Sequence, residues 1–135
     1  MQQIPAATRE KFAEGVIDWE GDSFMLVALD ATYVYDPNHE FRDDLTGVLG
    51  TVAMTGNVAL TNGACDADDT SITVTPAGSQ IRAIAICRDV GSAATDEFIY
   101  YANTQTDGTS ILRTSDGVNP ITFVWSNGST RIFRI

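Results

Sequence analysis

The sequence predicts a mainly-β domain, an antiparallel sandwich or barrel of about eight or nine strands with one short N-terminal helix. Three observations predict it. Short apolar or alternating runs recur along most of the chain. Glycine, asparagine, aspartate and proline stand between those runs, where turns need them. Good helix formers are concentrated at the start.

Taken in order, Pro5 opens a helix over Ala6–Glu14 and Gly15 closes it. Two or three turns cannot stand alone, so this helix must pack on a sheet. Ser23–Leu29 is apolar on both faces, as a central strand is. Asp36-Pro37-Asn38 signals a turn, with a helical turn over Glu40–Leu45 after it. Thr51–Thr55 and Val58–Thr61 flank Gly56-Asn57, which predicts a hairpin. Ser71–Thr75 alternates, with Ile72 and Val74 inward. Ile81–Arg88 reads as a second doubly buried strand. Glu97–Ala102 sets Phe98, Tyr100 and Ala102 on one face and Ile99 and Tyr101 on the other. Ile121–Trp125 alternates again, and Asn127-Gly128 turns the chain into Thr130–Ile135. So apolar an end is expected to pair into a sheet, in this chain or in a neighbouring subunit. The expected core is Phe24, Leu26, Val27, Ile72, Val74, Ile84, Ile86, Phe98, Phe123 and Trp125. Residues 1–135 read as one domain with a short arm of about five residues at the N-terminus.

The charge balance excludes several functions. Eight Lys plus Arg face 18 Asp plus Glu, a net charge of -10. Phosphate backbones are held by Lys and Arg, so such a chain is a poor nucleic-acid binder. The same sign opposes docking on anionic membranes. The apolar runs are too short to span a bilayer. Met1–Ala7 has neither the basic start nor the apolar stretch of a signal peptide, so synthesis and folding in the cytoplasm are expected. Cys65 and Cys87 lack the spacing of zinc or redox motifs and read as small buried side chains.

Candidates for chemistry are few. His39 could act as a base with Glu40 or Asp36, but its surroundings are those of a polar turn and no nucleophile motif accompanies it. Asp66, Asp68 and Asp69 bring carboxylates close together, the ligand type that calcium takes. Their spacing is not that of an EF-hand loop, and a solvated acidic loop accounts for them. The glycines are scattered singly, as turn residues are, with no phosphate-binding pattern. Trp19, Trp125, Tyr33, Tyr35, Tyr100 and Tyr101 could make a sugar-stacking platform, the signature of a carbohydrate-binding module, or fill the core and a subunit interface. No cofactor or metal site is expected, and an enzyme is the weakest reading.

Several stretches resemble small virion structural proteins encoded in the head and tail gene blocks of tailed bacteriophages. Lys11–Asp18 is similar to their short helix and first strand. Met25–Asp30, Tyr33 and His39–Leu45 resemble a VALLD, Y, HEFLDDL pattern. Asp66–Asp69 resembles their acidic loop, and Ile121–Trp125 with Asn127-Gly128 and Ile132-Phe133 their closing hairpin. The chain departs from them at Trp19–Asp22 and Val90–Asp96. The resemblance implies a non-catalytic capsid decoration or cement protein at the virion surface. Its partners would be the major capsid protein and copies of itself in a homotrimer, without nucleic acid or membrane. A tail or neck component is the alternative. Met1, Gln2, Gln3 and Ile4 are uncharged in their side chains and cut off from the helix by Pro5, so they look free to reach outward. Arg131 and Arg134 set cations beside apolar residues in an acidic chain. These six are the expected interface residues.

Overall fold

The computed structural model describes residues 1–126 and 131–134, the last in its backbone alone. The predicted turn at Asn127-Gly128 lies outside the described residues. The fold is mainly β, with antiparallel sheets and one short N-terminal helix. Strand β1 (Gln2–Gln3) precedes helix α1 (Ala6–Ala13). Then come β2 (Phe24–Leu29), a 3-10 turn (Arg42–Asp44) and β3 (Val48–Ala53). The middle of the chain holds β4 (Val58–Ala59), β5 (Ala64–Asp66), β6 (Thr70–Ile72), β7 (Gln80–Ile81) and β8 (Ala83–Arg88). It closes with β9 (Phe98–Ala102), β10 (Arg113–Thr114), β11 (Ile121–Phe123) and β12 (Phe133–Arg134). Strands outnumber the expectation because several break into pieces of two or three residues.

One five-stranded sheet, in the order β1-β9-β8-β2-β3, organises the molecule. Its middle strands are buried on both faces because each side of the sheet carries a core. Phe24, Leu26 and Ala28 of β2, with Ile84 and Ile86 of β8, face the larger core. Met25, Val27, Leu29, Ala83, Ala85 and Cys87 face the smaller one. The larger core is closed by the small sheets β11-β6 and β12-β5-β4, which contribute Ile72, Ile121 and Phe133. The smaller core is closed by Tyr33, Tyr35 and Leu45 from the segment between β2 and β3. Nine of the ten expected core residues are buried, and Phe123 is half-buried.

Four sequence expectations are corrected. Gly56-Asn57 does not close a hairpin. The segment before it, β3, pairs with β2, and β4 after it pairs with β5 through the turn Leu60–Gly63. Gly56 (φ +69°) instead bends the chain onto Asp68, whose N–H donates to the Thr55 carbonyl at 3.0 Å. Second, Ile81–Arg88 is two strands. Arg82 separates β7, which pairs with β10, from β8 in the main sheet. Third, Phe98 faces away from Tyr100. Ile86 pairs with Tyr100 and Cys87 with Phe98, so Ile99 is the extra residue of a β-bulge. The bulge interrupts strict alternation: Phe98 and Tyr101 join the smaller core, Ile99 and Tyr100 the larger.

Fourth, the N-terminal arm does not project. Gln2 and Gln3 pair with Ala102 and Tyr101 as an edge strand of the main sheet, and Ile4 is buried in the larger core. Proline at residue 5 does its expected work, admitting the helix after it without an N–H to satisfy. Helix α1 then docks through Thr8, whose buried hydroxyl donates to the Phe98 carbonyl, and through Lys11, 2.8 Å from Glu40. Gly15 takes φ +75° just past the helix, as expected.

Candidate functional site

The two terminal segments, distant in sequence, meet at one side of the molecule. The Met1 ammonium donates to Asn103 Oδ1 at 2.7 Å and to Thr104 Oγ1 at 2.6 Å. Both acceptors follow β9, the strand with which β1 pairs. Gln2 and Arg131 line the same cleft, of about 450 Å³. Tyr100, Ile111, Trp125 and Ile132 contribute buried apolar surface to it, and Thr106 and Asp107 exposed polar surface. Asp107 anchors its own turn: Thr109 donates to it from its hydroxyl at 2.6 Å and from its N–H at 3.0 Å. Those bonds, the hydroxyl's first, hold the carboxyl below the usual carboxylate range.

Of the six expected interface residues, three belong to this side: Met1 through its bond to Thr104, and Gln2 and Arg131 on the cleft wall, while Gln3 is exposed on β1 without lining the cleft. Arg131 is held with φ at +53°, an uncommon conformation for a residue with a Cβ, and its Nη1 lies 3.9 Å from Asp66 Oδ2. Ile4 is spent on the core instead. Arg134 pairs through its backbone with Ala64, and its side chain lies outside what is described. The loop residues Thr104–Asp107 were missed in the sequence because nothing local marks them as neighbours of residue 2. Only the Asp107-Gly108 turn signal stands out.

The other candidates are tied into the scaffold. His39 Nδ1 lies 2.7 Å from the Tyr33 hydroxyl, and its Nε2 3.9 Å from Asp36. Burial pushes the Tyr33 phenol well above its ordinary range, so its hydroxyl keeps its proton in that contact. The acidic loop disperses its carboxylates. Asp66 reaches toward Arg131, Asp68 accepts from Thr55 at 3.2 Å, and Asp69 accepts from the Trp125 N–H at 3.1 Å. Among the described residues, no three His, Cys, Asp or Glu side chains come together as metal ligands would. Cys65 and Cys87 are both buried and unbridged. Burial raises the Cys65 thiol to about 12 and the Cys87 thiol further.

The aromatic side chains fill space rather than form a platform. Trp19 is 4% exposed, packs at a tilt on Phe24 and edge-to-face on Phe133, and donates from its indole to the Asp66 carbonyl at 2.9 Å. Trp125 is 8% exposed, with its indole N–H 3.3 Å from Thr70 Oγ1. Tyr33, Tyr100 and Tyr101 are buried, and only Tyr35 is partly open. No protein-family model, no curated protein and no solved structure matches this chain.

Proposed function

We propose that this protein is a non-catalytic virion structural protein of a tailed bacteriophage, a capsid decoration protein that binds the assembled head and cements it. The observation that carries the reading is the convergence of both terminal segments on one concave, mixed polar and apolar surface of an acidic β scaffold. Such a surface suits docking against a neighbour better than enclosure of a small substrate. The segments that carry the phage resemblance agree with a structural role. Met25–Leu29 lies in the central strand β2, and His39–Leu45 forms the 3-10 turn and its flanks beside the smaller core.

The mechanism is one of mass action. A protein that binds the expanded shell and not its precursor stabilises the expanded state by its binding free energy. Many copies bridging capsid subunits would resist the pressure of packaged DNA. A net charge of -10 keeps such a surface component from sticking to released genome. The protein would be made in the host cytoplasm and end on the outside of the capsid, with the major capsid protein as partner. The test adds purified protein to heads lacking it and images them. Saturable density on expanded heads is expected, and failure to bind them would overturn the reading.

Open sheet edges favour one other assembly, a tail or neck component that forms rings. Binding to tail tubes or connectors, with none to heads, would favour it.

A further inference from the structure

We propose that residues 31–47 form a strap that opens as one unit and uncovers one face of the main sheet while the larger core stays closed. The proposal goes beyond the virion reading and does not depend on it.

The length of the connection is the first sign. β2 and β3 are adjacent antiparallel strands, and Leu29 pairs with Val48 where they meet. About two to five residues are enough to join such a pair. Here residues 30–47 do so, with one 3-10 turn among them. Long connections with so little regular structure are usually lids or binding loops.

The base of this excursion is closed, because the Asp30 N–H donates to the Gly47 carbonyl at 2.9 Å. The strap can therefore leave the sheet without parting β2 from β3. It also holds its own shape. The His39 N–H donates to the Asp36 carbonyl at 3.0 Å, Asp44 Oδ2 takes the N–H groups of Glu40 and Phe41, and Tyr33 meets His39.

Among the described residues, the smaller core consists of one face of β2, β8 and β9 and of strap side chains alone. Within the strap only Tyr33 and Leu45 are buried, with Tyr35 half-buried beside them. The larger core is closed instead by paired strands from two small sheets and by Phe12 of α1. Few buried apolar side chains and little pairing put the strap at the low end of local stability.

Its fastenings are confined to residues 40–43. The Phe98 N–H donates to the Glu40 carbonyl and the Arg42 N–H to the Asp96 carbonyl, both at 2.8 Å, and the Asp43 N–H to the Ala93 carbonyl at 3.0 Å. The ion pairs Lys11–Glu40 and Arg42–Asp96 flank them. Of these four charged side chains only that of Asp96 is fully buried. Opening returns it to water, which offsets much of the lost pairing.

Cys87 reports the opening. It is buried in the smaller core within electrostatic reach of Arg42 and Asp96, whereas both tryptophans belong to the larger core. Alkylation of the purified chain, read at Cys87 by peptide mass spectrometry, is compared with global unfolding followed by tryptophan emission. Cys87 should label roughly tenfold or more faster than global unfolding allows, with a weaker dependence on denaturant. Leu45→Ala loosens the strap and should speed that labelling by roughly another tenfold or more. Ile72→Val, in the larger core, should lower the global midpoint and leave Cys87 labelling without denaturant unchanged. Should Leu45→Ala fail to fold, the unsubstituted chain and Ile72→Val decide. Labelling of Cys87 only at the global rate would overturn the proposal. So would labelling indifferent to Leu45→Ala in a folded chain, or labelling that rises with Ile72→Val in step with the lost stability.

Discussion

Arg42 donates from Nε to Asp96 Oδ2 at 2.8 Å, and the Asp96 side chain is completely buried while that of Arg42 is 25% exposed. The other carboxylate oxygen accepts from the Val90 N–H at 2.7 Å. A buried carboxylate thus ties the loop after β8 to the 3-10 turn before β3. Next to it, Arg88 binds Asp22 and Glu97 at 3.1 Å each and joins the start of β2 to that of β9. These contacts fall on Trp19–Asp22 and Val90–Asp96, the two places where the chain departs from the proteins it resembles.

The asymmetry of that pair predicts an order of effects. Arg42→Ala strands a carboxylate that cannot reach water and should cost about 3–5 kcal/mol. Asp96→Ala leaves a guanidinium that can turn to solvent and should cost less. Chemical denaturation of both variants checks this, and equal costs would show that Asp96 is hydrated after all.

Core truncation should follow burial. Ile84→Ala and Ile86→Ala, in a strand packed on both faces, should each cost about 2–5 kcal/mol. Val124→Ala, at a residue 72% exposed, should stay within about 0.5 kcal/mol. If the melting temperature ignores both isoleucine changes, the placement of β8 is wrong.

Deleting Met1–Ile4 should destabilise the monomer. It removes an edge strand and the buried Ile4 side chain, whose loss alone is worth about 2 kcal/mol or more. An unchanged denaturation midpoint would mean that the arm is not part of the sheet. Arg131→Glu tests the cleft separately: it sets a carboxylate beside Asp66 and should weaken particle binding while the chain still folds.

Acid should remove one turn before the core. The N–H groups of Glu40 and Phe41 donate to Asp44 Oδ2 at 2.9 and 3.1 Å and hold its carboxyl below the usual range. Its contribution to stability is therefore full above the unfolded carboxylate pKa, near 3.9, and is lost as pH falls through the lower folded value. Asp44→Asn should flatten the stability profile in that acid window and leave its shape near neutrality unchanged.

Tryptophan emission should be blue-shifted and resistant to soluble quenchers, because both indoles are buried. Red-shifted, quenchable emission would reopen the carbohydrate-binding reading, and glycan binding lost in Trp125→Ala would support it. The native thiols should react with alkylating reagents only on unfolding.

The sequence by itself determined the class of fold and most of its core. Period-two alternation at Ser71–Thr75 and Ile121–Trp125, and unbroken apolar runs at Phe24–Leu29 and Ala83–Cys87, are local signals that any packing must respect. Helix α1 was legible for the same reason, from Pro5 to Gly15. Tertiary structure decided which strands pair, because a turn signal such as Gly56-Asn57 marks a bend without saying what meets across it. It decided the faces of β9, because an extra residue at Ile99 becomes a bulge only when a partner strand sets the register. It also decided that Met1–Ile4 folds in and that residue 2 shares a cleft with residue 131. Contacts between such distant residues depend on the sheet order, and a pattern read a few residues at a time does not contain that order.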